Sequence, residues 1–268
     1  MKVLSWEELR GGGLSGAAFA ATIGVFDGLH IGHRELISRI LGKEGLASLV
    51  LTFRESPKLK LSPATHGGVL STLEQKLELV ASAGADFCAL IDFSGDFSKL
   101  PGRRFLSMLR DCGELRLLAV GSDFRCGQGL DTDARDIRSF CEGQAIGFES
   151  LEAVRWAGHP VSSSRIRKSI VEGRLGDAAA MLGRPYEIDL RGSSFLAEGR
   201  AKPAGLQASP PPGSYDAILV TASGSVALES RGAARLDGEG CWSFGAGPGA
   251  AEGGKPEKLR LMNLVSRG

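Results

Sequence analysis

Apolar runs alternate with amphipathic stretches along the first two thirds of the chain. The runs at 18–25, 47–53, 87–93, 115–120 and 147–156 are apolar or rich in β-branched residues, which predicts strands. Between the strands, helical spacing of apolar residues predicts helices after the first strand, over 73–84, around 105–109, and over 132–141, 162–172 and 176–182. Strands that alternate with helices predict an α/β fold, a Rossmann-like doubly wound parallel sheet.

The pattern changes beyond Pro185. Gly, Ala and Ser become frequent, and short strand-like stretches follow at 215–221, 226–229, 234–236, 242–244 and 259–264, separated by glycine-rich turns. Short strands joined by such turns are typical of a small antiparallel barrel or sheet. We therefore predict two domains, residues 1–186 and a small, mainly-β C-terminal domain over residues 187–268.

Composition narrows the classes of partner. The 268 residues carry a net charge of only +1, so we expect neither nucleic acid nor an anionic membrane as a partner. The five cysteines are scattered and form no C-x-x-C, which favours free thiols over disulfides or a zinc site. The first residues lack the apolar core of a signal peptide, and no transmembrane run is present. These features predict a cytoplasmic protein.

One turn concentrates the chemistry of the N-terminal half. Residues 22–33 read T-I-G-V-F-D-G-L-H-I-G-H, so a strand passes through a glycine-rich turn into a helix. Such a junction favours phosphate, because free backbone N–H groups and the helix dipole point at an anion placed there. His30 and His33 are three residues apart, so both imidazoles can donate to one polyphosphate. The alternatives are an ordinary turn and half of a metal site.

A second constellation begins at the predicted helix over 162–172. Ser162, Ser163 and Ser164 precede Arg165 and Arg167, and serines at a helix start cap its free N–H groups. With two arginines nearby, the helix start becomes a second anion site, although a plain cap with a solvated basic face is the alternative. Together with the first turn, this stretch is interpreted as the other half of a triphosphate clamp.

Two more strand ends carry candidate ligand contacts. Asp123 and Phe124 follow the predicted strand at 115–120, in the stretch G-S-D-F-R-C-G, and Phe53 ends the strand at 47–53. Ligands of doubly wound sheets bind outside the carboxyl ends of the strands, so we expect these loops to share one cleft. A turn cap for Asp123 and a core position for each phenylalanine are the alternatives.

These motifs, taken together, resemble those of the prokaryotic FAD synthetases, the flavokinase/FMN adenylyltransferase family. Residues 22–33 are similar to its first signature, V-G-S-D-F-R-C-G at 120–127 to its flavin-side motif and V-S-S-S-R-I-R at 161–167 to its nucleotide-side motif, while L-G-R-P-Y at 182–186 closes its adenylyltransferase module. The resemblance covers about residues 1–186. It implies a sheet of the nucleotidylyltransferase type and the transfer of AMP from Mg-ATP to FMN, giving FAD and pyrophosphate.

The resemblance also implies a role for each motif residue. His30, His33 and Arg167 are implied as catalytic. The residues implied to bind ATP are Gly24, Phe26, Asp27, Gly28, Ser162, Ser163 and Ser164. Those implied to bind the flavin are Phe53, Asp123, Phe124 and Arg125. Mg²⁺ is the implied cofactor, with its ligands left open, and ATP and FMN are the small-molecule substrates, with protein partners unspecified.

Two departures from the family pattern affect the expected activity. The family commonly has a histidine in T-F-x-P-H-P, whereas this chain reads T-F-R-E-S-P, with Ser56 at that histidine's place. The kinase module of the family carries P-T-A-N, and this chain has no such stretch and a single asparagine, Asn263. We therefore predict an FMN adenylyltransferase whose C-terminal domain is a remnant barrel without riboflavin kinase activity.

Three other functions remain open at this point. A bifunctional riboflavin kinase/FAD synthetase would retain both activities. A nucleotidylyltransferase with another phosphorylated acceptor would need only the first motif. A non-catalytic flavin- or nucleotide-binding protein is supported by the altered T-F-R-E-S-P stretch.

Overall fold

The computed structural model describes the chain except for residues 15, 58, 60–66, 197–199, 224–225, 245–254 and 268. The chain divides into two compact units, Met1–Ser62 with Lys76–Pro160, and Pro63–Gln75 with Val161–Gly268. The residues from Val161 onward thus group with the C-terminal strands. The domain boundary after residue 186 stays a prediction. None of the helices within the described ranges is long and apolar enough to cross a bilayer.

The first unit is an α/β structure. Its strands are β1 (Lys2–Ser5), β2 (Ala18–Ile23), β3 (Ala47–Phe53), β4 (Phe87–Ile91), β5 (Glu114–Gly121), β6 (Arg125–Cys126), β7 (Thr132–Asp133), β8 (Gly147–Leu151), β9 (Arg155–Trp156) and β10 (His159–Pro160). The helices along this part of the chain are α1 (Trp6–Glu8), α2 (Ile31–Ser38), α3 (Leu73–Ser82), α4 (Gly95–Ser98), α5 (Gly102–Arg110) and α6 (Ala134–Glu142), with a π-helical turn at Leu9–Gly13.

A six-stranded parallel sheet forms the centre of this unit. The strand order is β1-β4-β3-β2-β5-β8, and every pairing is parallel. Strand β2 is buried from Phe19 to Ile23, as expected where helices cover both faces of a parallel sheet. The predicted Rossmann-like, doubly wound sheet is thereby confirmed.

The direction of winding reverses at β2. From β2 the chain passes to β3 and β4 on one side, and then returns to β5 on the other side. Ligands of open parallel sheets bind outside the carboxyl ends of the strands at such a reversal. The loops that follow β2 and β5 are therefore the ones that the sheet places at its ligand-binding edge.

Alternate side chains of the central strands, which project from one face of the sheet, pack with neighbouring helices in one core. Phe19, Leu49, Leu118 and Ile137 are fully buried within it. All five cysteines are free thiols, in agreement with the prediction from their spacing. Burial raises the pKa of the Cys88 thiol to about 11, so it stays protonated at neutral pH.

The second unit combines two helices with an antiparallel sheet. Helices α7 (Ser163–Val171) and α8 (Leu175–Leu182) precede β11 (Tyr186–Asp189), β12 (Ser194–Leu196), β13 (Arg200–Lys202), β14 (Gly213–Ser223), β15 (Val226–Leu236), β16 (Trp242–Phe244) and β17 (Lys255–Arg267). The order of the strands is β11-β17-β14-β15-β16-β13-β12, with antiparallel pairing throughout. The predicted mainly-β C-terminal part is confirmed.

The structure corrects three predicted strands and adds several. The stretches 226–229 and 234–236 belong to one strand, β15, which pairs with β14 along its whole length. Its middle, S-R-G-A, lacks the apolar alternation that marks a strand, so the sequence pattern divided it. The predicted strand at 147–156 ends at Leu151, and the short hairpin β9–β10 follows it.

Candidate functional site

The turn after β2 has an unusual backbone. Phe26, Gly28 and Leu29 all have positive φ, at 49°, 75° and 39° respectively. Hydrogen bonds to β3 hold the turn, since Gly24 N donates to Leu51 O at 3.1 Å and Thr52 Oγ1 donates to Val25 O at 3.0 Å. The two non-glycine residues store strain that the surrounding packing has to maintain, as is common at ligand-binding turns.

The ring of Phe26 lies directly over Gly24. A Cβ atom at Gly24 would come within 2.9 Å of that ring, which is completely buried. Glycine is therefore needed there to allow the close approach. Because the Phe26 side chain is internal, only its backbone is available for the predicted contact with ATP.

His30 and His33 lie against each other at the start of α2. His30 is the N-cap residue, and its Nδ1 accepts a hydrogen bond from His33 N at 3.3 Å. This bond assigns the neutral tautomer of His30 with the proton on Nε2. The two rings stack with their centroids 3.5 Å apart, and Phe26 meets His33 edge-on at 5.1 Å. The pair thus presents a rigid imidazole surface at the helix start.

The His33 imidazole is held in its neutral form. Its Nδ1 atom is shielded from solvent and has no hydrogen-bond partner among the described residues. Burial lowers the pKa of His33 well below its usual value, and electrostatic interactions with His30 and Lys76 lower it further. A neutral ring that retains one N–H can still donate a hydrogen bond to a phosphate oxygen.

The neutral His33 gives a testable link between pH and stability. The unfolded chain binds a proton at this histidine near the ordinary pKa of 6.5, whereas the folded protein does not. Because the unfolded state then binds more protons, the free energy of unfolding falls as the pH drops below that value. We expect urea titrations between pH 7 and pH 5 to show a smaller loss of stability for His33→Gln than for the wild type. Equal losses would contradict a neutral His33 imidazole whose Nδ1 atom is shielded from solvent.

Lys76 is a buried charge that the sequence analysis missed. It lies on α3, and its Nζ donates to Phe53 O at 2.8 Å. Asp27 of the turn is also buried and interacts electrostatically with Lys76. The sequence does contain a signal, because Lys76 stands three residues after Leu73 and four before Val80, on the apolar face of the predicted helix.

The loop after β5 presents the residues predicted to face the flavin. Phe124 N donates to Gly121 O at 3.0 Å, which closes a turn with Asp123 exposed at its tip. Phe124 packs partly into the core, and the exposed Arg125 begins the antiparallel pair β6–β7. Burial raises the pKa of the neighbouring Cys126 thiol to about 12, so this cysteine is not a thiolate nucleophile.

The end of β3 joins an aromatic cluster. The Phe53 ring lies 6.0 Å from that of Phe93 and 6.2 Å from that of Phe97, in edge-to-face geometry. Phe53 is half-buried, so part of its ring is accessible at the carboxyl end of the sheet. Ser56, at the place of the family's histidine, is buried.

The serine–arginine motif lies in the second unit, at the start of α7. Ser162 is the N-cap, with Oγ accepting a hydrogen bond from Arg165 N at 3.3 Å, and Ser163 and Ser164 form the first turn. The arm of Arg167 packs on Gly67, where an added Cβ would lie 3.3 Å from the arginine Cδ. The predicted meeting of this motif with the turn after β2 in one pocket stays a prediction.

Comparison with known proteins identifies the family. The family model for FAD synthetase matches residues 15–165, which include the turn after β2, the loop after β5 and most of the serine–arginine motif. The chain belongs to the FAD synthetase family. The resemblance that the motifs indicated is thereby confirmed.

Three relatives show how far the match extends. The bifunctional riboflavin kinase/FMN adenylyltransferase of Listeria monocytogenes serovar 1/2a is 31% identical over 168 residues, which are 61% of this chain and 53% of that protein. The protein of the same name from Escherichia coli K12 is 31% identical over 63% of this chain and 56% of its own length. An FAD synthetase of the same Listeria strain is 28% identical over 64% of this chain and 71% of its length. The matched part thus spans little more than half of the two bifunctional relatives.

A solved structure has the same fold along the chain. The crystal structure of a macrolide-efflux protein from Streptococcus pneumoniae superposes with a TM-score of 0.82, covering 100% of this chain and 92% of that one. The two sequences are 18% identical, so the likeness concerns the fold alone. The function has to be argued from the site.

Proposed function

We propose that the protein transfers AMP from Mg-ATP to FMN, with FAD and pyrophosphate as products. An oxygen of the FMN phosphate attacks the α-phosphorus of ATP, the bond between the α-phosphorus and its bridging oxygen breaks, and pyrophosphate leaves with that oxygen. One observation carries the proposal, namely the stacked His30–His33 pair at the start of α2. It lies at the carboxyl end of β2, where the winding of the sheet reverses, in a chain of the FAD synthetase family.

The reaction requires the protein chiefly to position the substrates and to stabilise the negative charge on the phosphate oxygens. Phosphoryl and nucleotidyl transfer spread negative charge over the phosphate oxygens, and fixed hydrogen-bond donors stabilise that charge without reorganising. The Nε2–H of His30 is such a donor, because capping of the helix occupies its Nδ1. Gly24, Asp27 and Gly28 shape the turn in which backbone N–H groups approach the phosphates. Stacking on His30 keeps His33 in a single orientation beside it.

The remaining motif residues are assigned either to the nucleotide or to the flavin. We assign Ser162, Ser163, Ser164 and Arg167 to the nucleotide, because a capped helix start beside guanidinium groups favours anions. A separate set is assigned to the flavin, consisting of Phe53, Asp123, Phe124 and Arg125. Mg²⁺ enters with the ATP phosphates, since this ion keeps most of its ligands as water and phosphate oxygen. We place the reaction in the cytoplasm, in keeping with five free cysteines.

We further propose that riboflavin kinase activity is absent. The stretch after β13 reads P-A-G-L at 203–206 and offers neither a hydroxyl nor a carboxamide side chain. Asn263, the single asparagine, stands within β17 opposite Asp216, in the ladder of a sheet. The chain therefore lacks the Thr and Asn pair that the resemblance associates with Mg-ATP in the kinase module.

Separate incubations test both parts of this proposal. The purified protein is incubated with Mg-ATP and either FMN or riboflavin, and the products are separated by chromatography. We expect FAD from FMN and no FMN from riboflavin. The formation of FMN from riboflavin would overturn the absence of kinase activity, and failure to form FAD from FMN would overturn the adenylyltransferase. Arms with phosphopantetheine and nicotinamide mononucleotide test the rival acceptors.

A further inference from the structure

A buried lysine lies beneath the turn that carries the histidine pair. Lys76 is 5% exposed, and within the described part of the chain its Nζ donates one hydrogen bond, of 2.8 Å, to the backbone oxygen of Phe53. Lysine is almost never buried unless it is paired, because removing an ammonium group from water is costly. The contact with one carbonyl leaves most of that cost uncompensated, so the neighbouring charges have to be considered.

The groups that face Lys76 come from three elements. Asp27 lies in the turn after β2, Cys88 on β4 and His33 on α2, and each interacts electrostatically with the lysine. Burial lowers the pKa of Lys76, while Asp27 and Cys88 oppose this effect. The Cys88 thiol is protonated at neutral pH, with a pKa of about 11. Asp27 is therefore the anion among these three that compensates the ammonium group.

We propose that Lys76 is a positioning residue of the nucleotide site, whose ammonium group ties the end of β3 to α3 and holds a positive charge near the buried Asp27 and behind His33. The proposal rests on the adenylyltransferase function proposed above. The proposal gives α3 a role in the site. Neither the motifs nor the comparison with the family assigns such a role to this helix.

Two consequences follow if the ammonium group is removed. The Asp27 side chain loses a positive neighbour within the turn that is proposed to receive the ATP phosphates. Like charges that are poorly solvated repel strongly, so ATP binds less favourably and the turn shifts. His33 also loses a positive neighbour, which makes protonation of its ring easier. His30 stays the other electrostatic neighbour of His33 in every variant, so its effect cancels in the comparison.

Substitutions at one position separate charge from packing and hydrogen bonding. Lys76→Met keeps the length of the side chain without its charge. Lys76→Gln removes the charge and retains a donor for the Phe53 carbonyl, and it also serves if the methionine variant fails to fold. Lys76→Arg keeps the charge. Lys43→Met is the matched control, because Lys43 is a partly exposed lysine of the same unit that pairs with Glu149 at 3.4 Å.

The decisive readout is the titration of His33 by NMR, which needs no enzymatic activity. The chain has four histidines, so single His variants assign the resonances. We expect the midpoint of the His33 titration to rise by about one pH unit in Lys76→Met and Lys76→Gln, the size of shift that a nearby charge produces. The midpoint should stay at the wild-type value in Lys76→Arg and in Lys43→Met.

Kinetics supply the second readout. We expect kcat/KM for ATP to fall by about tenfold or more in the two uncharged variants, and by no more than about threefold in Lys76→Arg. Lys43→Met should match the wild type. An unchanged His33 midpoint in the uncharged variants, or an equal shift in Lys76→Arg, would overturn the proposal. A wild-type protein without FAD synthesis would refute the proposed function, whereas the titration would still report on Lys76.

Discussion

Replacing His30 by asparagine is expected to lower kcat for FAD synthesis by about 100- to 1,000-fold, the usual loss when one fixed donor to a developing charge is removed. Asparagine is among the best N-cap residues, so it keeps an acceptor for the His33 N–H and preserves the start of α2. The substitution removes the Nε2–H donor, which lies on the side of the His30 ring opposite the capping Nδ1. The expected loss therefore reports on the donor rather than on the helix.

His30→Ala serves as the comparison. Alanine removes both the donor and the cap, and loss of an N-cap side chain typically costs about 1 kcal/mol of stability. We expect both variants to lose similar activity, and only the alanine variant to unfold at a lower temperature. The dissociation constant for ATP, measured by calorimetry, should change by less than about tenfold, because the donor acts mainly on the transition state. An asparagine variant with wild-type kcat would remove His30 from the mechanism.

Replacing Gly127 by alanine is expected to destabilise the protein by about 3 kcal/mol or more. This value adds the cost of a backbone conformation that alanine rarely adopts to the cost of overpacking around the new methyl group. Gly127 has φ of 86° at the end of the flavin-side motif. An added Cβ would overlap Asp131 Oδ1 and the backbone N of Gly102, and would lie 2.6 Å from Gly102 Cα. Asp131 cannot move away cheaply, because its Oδ1 accepts hydrogen bonds from Gly102 N at 3.0 Å and Thr132 Oγ1 at 2.9 Å.

Gly129→Ala is the matched control in the same loop. Gly129 also has a positive φ, of 65°, but nothing lies within 4 Å of the position of its Cβ. The substitution Gly129→Ala should lower the free energy of unfolding by only about 1 kcal/mol, the typical penalty for a side chain in the left-handed region. Urea denaturation gives both values. Equal costs for the two substitutions would show that the close packing around Gly127 is unimportant. Because Gly127 follows Arg125 and Cys126 of β6, its variant should also weaken FMN binding.

The turn and its helix were predictable because their signals are local. A buried strand, a run of glycines and two histidines at helical spacing all lie within the stretch 18–33. The start of α3 was equally predictable, since Gln75 N donates to Thr72 Oγ1 and the Gln75 side chain accepts from Thr72 N. In both places a short range of sequence contains all the groups that fix the backbone.

Contacts between distant residues were not predictable from the pattern. Thr72 Oγ1 donates to Asp189 at 2.5 Å, and Gln207 Nε2 donates to Gln75 at 3.0 Å. Val69 forms a bridge with Gln207 as well, so residues 67–75 group with the C-terminal strands. No local sequence pattern predicts a contact with a residue more than 100 positions away. Lys76 differs in part, because its place on the apolar face of α3 indicates burial, whereas no local pattern indicates its neighbour Asp27.

The products of the reaction between ATP and FMN test the central claim most directly. Phosphorus NMR of the wild-type protein with Mg-ATP and FMN follows every phosphorus atom of both substrates. Transfer of AMP predicts the appearance of FAD and pyrophosphate in equal amounts, with no ADP. The appearance of ADP, or the persistence of ATP and FMN unchanged in the presence of folded protein, would contradict the account.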